Sequence, residues 1–506
     1  MFHTPTTTAQ VDQFLALAGH VTVEINMLPD NVFLEIFDFY KDDPTSTAAE
    51  GYTWKWKTLI HVCRTWRHII LASPWRLELR LVFSERTPTT TLLDIWPPLP
   101  ITIVHDPEDC YYKIDENGVE NLIPAVEHHD RVAKIFILNI SGPALEKLIA
   151  VMHQPLTALR EFRIWSNDEA APVLPETFLG GSASRLPIKS FFLEGIPFPA
   201  LPKFISSATS IVNLDLLDIP DRGYISPEVM ATCVATLSNL RRLSIRFRSP
   251  ESRPLQSSPP PLTRATLPSL TGLSLGGAGK YIEAFVSQID TPRLNRLIVD
   301  FFVGLDFDMP QLRDFINRTG NPRPFNQAQI SHSDSLTKII LRRSSTPFQL
   351  DIRYKLDWGL SAISQMFSRQ LPLLSHIERL EVVEPRWDDP VEGIEQEDPA
   401  EWLGLFHMFI AVQHLRVSRG LVPLFEAILE DAMEEMAMDV LPALRKLSLE
   451  GLEPQPSGSV PRAIELFVAL RETSGRPVII QSWKRPQTPE IEDYDFEFGL
   501  TYPDLD

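Results

Sequence analysis

The sequence predicts an α/β fold: a small helical module near the N-terminus, then an irregular repeat solenoid with a parallel sheet on its concave side. Three observations predict it. The pattern Φ-x-x-Φ-x-Φ, where Φ is apolar, recurs eleven times, stretches with helical apolar spacing separate many copies, and two amphipathic stretches precede the first copy. A chain of 506 residues exceeds what one compact core usually holds, whereas a repeat array reaches this length without one.

The composition limits the class of partner. The net charge of −19 argues against sequence-independent nucleic-acid binding and against docking on anionic membranes, because both need concentrated Lys and Arg. Cys63, Cys110 and Cys233 lie far apart and match no zinc spacing, and we find no credible metal, nucleotide or other cofactor constellation. The first Lys or Arg is Lys41, too late for a secretory or mitochondrial leader. We therefore expect a cytoplasmic or nuclear protein that binds no cofactor.

The N-terminal module is predicted to contain two helices. Pro29 suits the first turn of a helix, and apolar residues then follow at helical spacing at Val32, Phe33, Ile36, Phe37 and Tyr40. A second helix runs from about Leu59 and ends at Ser73-Pro74, because proline disfavours helical geometry in the residue before it. Helices this short bury little surface alone. The patterning leaves open whether they cap the next domain or dock a partner.

Three separated elements of this module occur in a familiar order: Leu28-Pro29, Ile36-Phe37 and Val62-Cys63-Arg64-Thr65-Trp66-Arg67. Together they resemble an F-box, with a longer loop between the helices than the family minimum. The stretch from Arg80 to Ile103 resembles the segment that comes after the F-box in many proteins of mushroom-forming fungi. The resemblance implies docking on the Skp-type linker subunit of a cullin–RING ubiquitin ligase. The linker-docking residues it implies are Leu28, Pro29, Val32, Leu34, Ile36, Phe37, Leu59, Val62, Cys63 and Trp66. The sequence does not separate those that touch the linker from those inside the module.

The repeat copies start roughly 23 to 42 residues apart, and the x-Φ-x-Φ-x part of each predicts a short strand. The copies are Val132/Ile135/Ile137, Leu159/Phe162/Ile164, Ile188/Phe191/Leu193, Ile211/Leu214/Leu216, Leu240/Leu243/Ile245, Leu270/Leu273/Leu275, Leu294/Leu297/Val299, Leu336/Ile339/Leu341, Ile377/Leu380/Val382, Val412/Leu415/Val417 and Leu444/Leu447/Leu449. With helices between the strands, the chain resembles a leucine-rich-repeat protein. It departs from that family because the expected Asn or Cys after the last Φ occurs only at Asn167, which predicts an irregular solenoid. An ordinary α/β domain with parallel strands is the alternative.

The predicted organisation has four parts. Residues 1–24 form a mobile tail, 25–85 the F-box-like helical module, 86–485 the solenoid and 486–506 an acidic tail. The solenoid helices are expected at 144–153, 227–237, 281–289, 310–317, 421–438 and 461–473.

Side chains between the Φ positions are predicted to point out of the sheet and to form one continuous surface. The substrate-binding residues expected there are Trp165, Arg242, Arg246, Arg296, Arg379 and Arg416. Because guanidinium groups bind carboxylates and phosphates bidentately, we expect an acidic or phosphorylated protein segment as the ligand. Two other uses stay open: solvated strand residues without a ligand, and a surface that holds the acidic tail of this chain.

The function predicted is that of a non-catalytic adaptor, which docks the linker, and through it a cullin, and presents a protein substrate for ubiquitin-dependent degradation. A repeat scaffold that is not coupled to ubiquitination is the first alternative. A hydrolase is the second, because Gly272-Leu-Ser274-Leu-Gly276 matches a nucleophile elbow with Ser274 as nucleophile. However, Leu273 and Leu275 already form the apolar pair of a repeat, so Ser274 is expected in the middle of a strand.

Overall fold

The computed structural model of the protein describes residues 28–41, 55–74, 76–77, 79–105, 113–183, 185–248, 263–301, 309–319, 325–333, 336–343, 346–355, 374–384, 399–435, 440–451 and 461–484. Both predicted tails and Cys110 lie outside the described residues. No helix within these ranges combines the length and the apolar character that a bilayer crossing requires.

The helices of the described ranges follow one another at repeat-like intervals. They are α1 Asp30–Lys41, α2 Lys55–Ile60, α3 Arg64–Ala72, α4 Thr89–Ile95, α5 Glu116–Val126, α6 Gly142–Val151, α7 Leu201–Ile205, α8 Pro227–Ala235, α9 Gly279–Gln288, α10 Pro310–Arg318, α11 Pro399–Phe406, α12 Val422–Glu435 and α13 Arg462–Thr473. Ser141 and Ser226 cap α6 and α8 by accepting backbone N–H groups, and proline occupies the first turn of both.

The strands alternate with these helices through most of the chain. They are β1 Leu81–Phe83, β2 Ile101–Val104, β3 Val132–Ile137, β4 Glu161–Trp165, β5 Ser190–Glu194, β6 Asn213–Ile219, β7 Arg242–Phe247, β8 Ala265–Thr266, β9 Gly272–Gly277, β10 Ile289–Asp290, β11 Arg296–Phe301, β12 Gln327–Ser333, β13 Leu336–Arg343, β14 Thr346–Lys355, β15 Arg379–Val383, β16 His414–Val417, β17 Lys446–Glu450 and β18 Ile479–Trp483. The first strand, β1, lies inside the range predicted for the helical module.

Sixteen of the strands form one sheet, in the order β1-β2-β3-β4-β5-β6-β7-β9-β11-β14-β13-β12-β15-β16-β17-β18. Every neighbouring pair in it is parallel except the two pairs that include β13. Strands β8 and β10 form a separate parallel pair. The prediction of an α/β chain with a large parallel sheet is therefore confirmed.

The predicted repeat copy at Leu336/Ile339/Leu341 is wrong in its direction. It forms β13, which runs antiparallel to both β12 and β14. A connection of two residues joins β13 to each neighbour, 334–335 on one side and 344–345 on the other. So short a connection reverses the chain direction and cannot cross over to a parallel position. As a result, β14 and not β12 lies beside β11, while β12 pairs in parallel with β15.

The core lies between the sheet and the helices, where the Φ side chains are buried. Neighbouring helices pack side by side in chain order along that face. Buried serines at strand ends supply hydrogen bonds in place of a regular Asn ladder: Ser166 Oγ donates to the Ile140 carbonyl at 2.7 Å, and Ser418 Oγ accepts from the Glu384 N–H at 3.1 Å. Each of these two bonds satisfies one backbone group near a strand end.

Candidate functional site

The N-terminal helices divide the expected linker-docking residues into two groups. Leu34, Phe37 and Leu59 are buried inside the module, together with Phe33, so they form its core. Leu28, Val32, Cys63 and Trp66 are half-buried, whereas Pro29, Ile36 and Val62 are exposed. The structure thus separates the residues that form the core of the module from those on its surface, which the sequence did not.

A second apolar face of α1 carries Val32, Ile36, Phe39 and Tyr40, at positions i, i+4, i+7 and i+8. The Phe39 side chain is 80% exposed and Ile36 is 42% exposed, whereas Phe37 on the core side is 1% exposed. We call Val32, Ile36, Phe39 and Tyr40 the α1 apolar face. Phe39 was not among the expected docking residues, although its spacing from Val32 and Ile36 was a usable signal.

The α1 apolar face rests on a packed aromatic core. The Trp66 ring lies edge-on to Phe37 at 4.9 Å and to Phe33 at 5.9 Å between centroids. Cys63 begins α3, where its Sγ accepts the Trp66 N–H at 3.4 Å. Cys63 and Trp66 therefore act inside the module by fixing α3 against α1.

The second candidate surface is the side of the sheet that faces away from the helices, formed by residues that alternate with the buried Φ positions. We call it the outer face. The strand registers place Arg242, Arg296 and Arg379 in one row across it. Trp165, Arg246 and Arg416 occupy other rows of the same face. All six expected substrate-binding residues thus share one side of the sheet.

These six residues do not form one pocket. Six strand spacings separate Arg242 on β7 from Arg379 on β15, which is about 29 Å at the usual spacing. The outer face is an extended surface, suited to a segment of chain and not to a small molecule.

Several of its arginines already bind carboxylates of the same chain. Arg246 contacts Asp218 at 3.0 Å and Glu194 at 3.4 Å, and Arg296 contacts the fully buried Asp351 at 3.2 Å. Burial raises the pKa of Glu194 to about 7, against the opposing effect of Arg246. Burial also lowers the pKa of Arg246, but the neighbouring carboxylates outweigh it, so its pKa is raised. These ion pairs connect β7 with β5 and β6, and β11 with β14, across the outer face.

Aromatic rings supply the other part of this surface near β3 to β5. The Arg163 guanidinium lies 4.5 Å from the ring centroid of Phe192 and 5.2 Å from that of Phe136, so it is held between the rings of the two flanking strands. Arg163 was not among the expected substrate-binding residues, although it alternates with Phe162 and Ile164 in the same way as the others.

Ser274 lies in the middle of β9, between Ser244 and Ile298 on the neighbouring strands, and the strand continues to Gly277 before α9 begins. A nucleophile elbow needs its serine at the sharp turn itself. The Gly-x-Ser-x-Gly match therefore forms no such elbow. Among the described residues, no group of three or more His, Cys, Asp or Glu side chains is arranged to hold a metal ion.

Comparison with known proteins gives a similarity in structure but none in sequence family. No protein-family model matches the chain. No curated protein matches it either. The leucine-rich repeat-containing protein LegL7 from Legionella pneumophila is similar at 11% identity, over 79% of this chain and 98% of that chain, with a TM-score of 0.29. At that TM-score the two structures share little detailed geometry.

Proposed function

We propose that the chain is a non-catalytic, substrate-recognition adaptor of a Skp–cullin–F-box ubiquitin ligase. In this proposal the N-terminal helices dock the Skp-type linker subunit and the outer face binds a protein segment. The α1 apolar face carries the proposal, because a helix that buries one apolar side and exposes another resembles half of a protein interface.

Two further features support the docking role. The motif elements Leu28-Pro29, Ile36-Phe37 and Val62-Cys63 occur in the order that an F-box requires. In addition, the exposed Val62 lies in the turn between α2 and α3, so this turn presents an apolar group as well as α1. Exposed aromatic and branched side chains contribute most when a partner excludes water from them.

The extended outer face supports the binding half of the proposal. Its rows of charged and aromatic side chains cross many strands, as in repeat proteins that bind segments of other chains. The same observation favours the second candidate function, a repeat scaffold that holds a partner without ubiquitination.

Reconstitution with a purified Skp-type linker and a linker–cullin complex tests the proposal and separates the two functions. The adaptor should enter a ternary complex with linker and cullin, and Leu28→Ala combined with Pro29→Ala should abolish that complex while the sheet stays folded. Binding of linker alone, with no cullin recovered, would favour the scaffold. Undiminished binding by the double variant would remove the docking assignment.

A further inference from the structure

The basic side chains of the outer face differ in what they contact. Between β7 and β14 they are matched by carboxylates, through Arg246 with Asp218 and Arg296 with Asp351. Toward the C-terminal end of the sheet, basic side chains instead lie beside other basic side chains. Arg379, His414 and Lys446 lie opposite one another on the adjacent strands β15, β16 and β17. These three side chains span two strand spacings, or about 10 Å.

We call Arg379, Arg416 and Lys446, the three cations around His414, the cationic row. Arg379 is exposed and has no ion pair within the described residues. Arg416 contacts Glu381, and Glu378 is the carboxylate that raises the pKa of His414. Burial is the largest cause that lowers the pKa of His414, followed by the charges of Lys446, Arg379 and Arg416. Each of these three cations has a larger effect on the pKa of His414 than Glu378 has.

The last strand, β18, contacts the cationic row through Trp483. The Arg416 guanidinium lies 5.6 Å from the centroid of the Trp483 ring, a contact that crosses β17 to reach β18. Within the described residues β18 pairs only with β17, and its Ile479 is 62% exposed. The edge of the sheet beside the cationic row is therefore open in the described part of the chain.

The sequence that follows β18 is complementary in charge. After Arg485 it contains seven carboxylates, at Glu490, Glu492, Asp493, Asp495, Glu497, Asp504 and Asp506, and aromatic and acidic residues alternate from Tyr494 to Phe498. Alternation of this kind is typical of a strand with one apolar and one charged side.

The connection is long enough to bring these carboxylates to the row. Lys446 lies opposite Ile479, so Trp483 is four residues, or about 13 Å, further along the strand. From Trp483 to Glu490 there are seven residues, which extend to roughly 23 Å. Tethering at this length gives an effective concentration in the millimolar range.

We propose that the acidic segment 490–506 binds the cationic row of its own chain, so that an acidic segment of a protein substrate must displace it. The substrate part of this inference rests on the proposed function, whereas the intramolecular contact does not. Exposed ion pairs are individually weak, so several carboxylates must act together, and salt must weaken the contact.

Zero-length carbodiimide crosslinking of the full-length chain tests the contact, because it joins a lysine to a carboxylate only when the two touch. We expect a crosslink within the monomer between Lys446 and a carboxylate of 490–506, and its loss at about 0.5 M NaCl. The ion pair of Lys203 with Glu176, 2.8 Å apart, is the internal positive control. If the control crosslink forms and the Lys446 crosslink does not, or forms only between two chains, the proposal is wrong.

A synthetic peptide of residues 487–506 measures displacement. It should bind at least tenfold more tightly to a chain in which Glu490, Glu492, Asp493, Asp495 and Glu497 are replaced by their amides than to the wild-type chain. Adding Arg379→Glu with Lys446→Glu should abolish that binding, whereas Lys280→Glu with Arg462→Glu, an equal charge change on exposed helix positions, should not. Equal affinity for the amide and wild-type chains would overturn the proposal. Linker binding, measured on the same variants, reports separately on the proposed function and should not change.

Discussion

The side chain of Arg246 lies across Gly276 on the neighbouring strand, so close that a Cβ added at Gly276 would stand 2.7 Å from Arg246 Cγ. The missing side chain leaves room for Arg246 to reach Asp218 and Glu194 on the other side. One glycine on β9 therefore determines where the central charge of the outer face is held.

Gly276→Ala should lower the free energy of unfolding by about 1–3 kcal/mol, the usual cost of overpacking. The clash is with the stem of Arg246, which cannot move without breaking its contact with Asp218. Gly404→Ala is the matched control, because nothing lies within 4 Å of its added Cβ. In the helix α11 that change should stabilise by about 0.5–1 kcal/mol. Urea denaturation measures the change in the free energy of unfolding for both variants, and the two changes should have opposite signs. Equal changes would contradict the close packing of Arg246 on Gly276.

Glu194→Gln should change how stability depends on pH. The folded-state pKa of Glu194 is raised to about 7 by burial, above the ordinary value of 4.5, so folding favours the protonated form. Its contribution is most favourable below pH 4.5 and is lost as the pH rises to about 7, by roughly 3 kcal/mol at most. The variant should therefore gain stability relative to the wild-type chain between pH 5 and pH 8.

Asp168→Asn is the control with the opposite sign. The Gly142 N–H, then Lys113, lowers the pKa of Asp168, so its contribution is present at neutral pH and is lost in acid. Denaturation midpoints from pH 3 to pH 8 distinguish the two variants, because the Asp168→Asn difference changes only as the pH falls below its ordinary pKa of 3.8, whereas the Glu194→Gln difference changes between pH 5 and pH 8. A Glu194→Gln difference that stays constant across this range would show that Glu194 is already ionised at pH 5.

Arg296→Ala should cost about 3–5 kcal/mol, because it leaves the buried Asp351 carboxylate without its cation. Gln349 Nε2 still donates to that carboxylate at 2.7 Å, but an amide carries no charge. Arg296→Met combined with Asp351→Leu should recover most of the loss, since it removes both charges. The unfolding free energies of the three chains complete this test, and a double variant no more stable than Arg296→Ala would contradict it.

The sequence predicted most of the sheet because each strand carries its own apolar pair. It could not predict the direction of β13, because Leu336, Ile339 and Leu341 show the same period in a parallel or an antiparallel strand. Strand β1 has only three residues, too few to show any period. Ser166 and Ser418 were missed as hydrogen-bonding residues because serine is common in loops and its burial is a property of the fold.

The sequence predicted which residues make up the candidate site but not which of them are buried. Phe37 and Ile36 are adjacent in sequence, yet Phe37 is buried and Ile36 exposed, because the helix places them on different sides. Likewise, the expected ligand-binding role of Arg246 and Arg296 could not be separated from an internal one, since Asp218 and Asp351 become neighbours only in the folded sheet.

The affinity of a purified Skp-type linker for the full-length chain tests the central proposal most directly. Ile36→Glu combined with Phe39→Glu should weaken it by about thirtyfold or more, the loss expected when an interface centre is charged. Val229→Glu is the matched control, an apolar side chain 47% exposed on α8, and should leave the affinity unchanged. A wild-type chain that does not bind the linker, or a double variant that binds it as tightly as the control, would contradict the assignment of α1 as a docking helix.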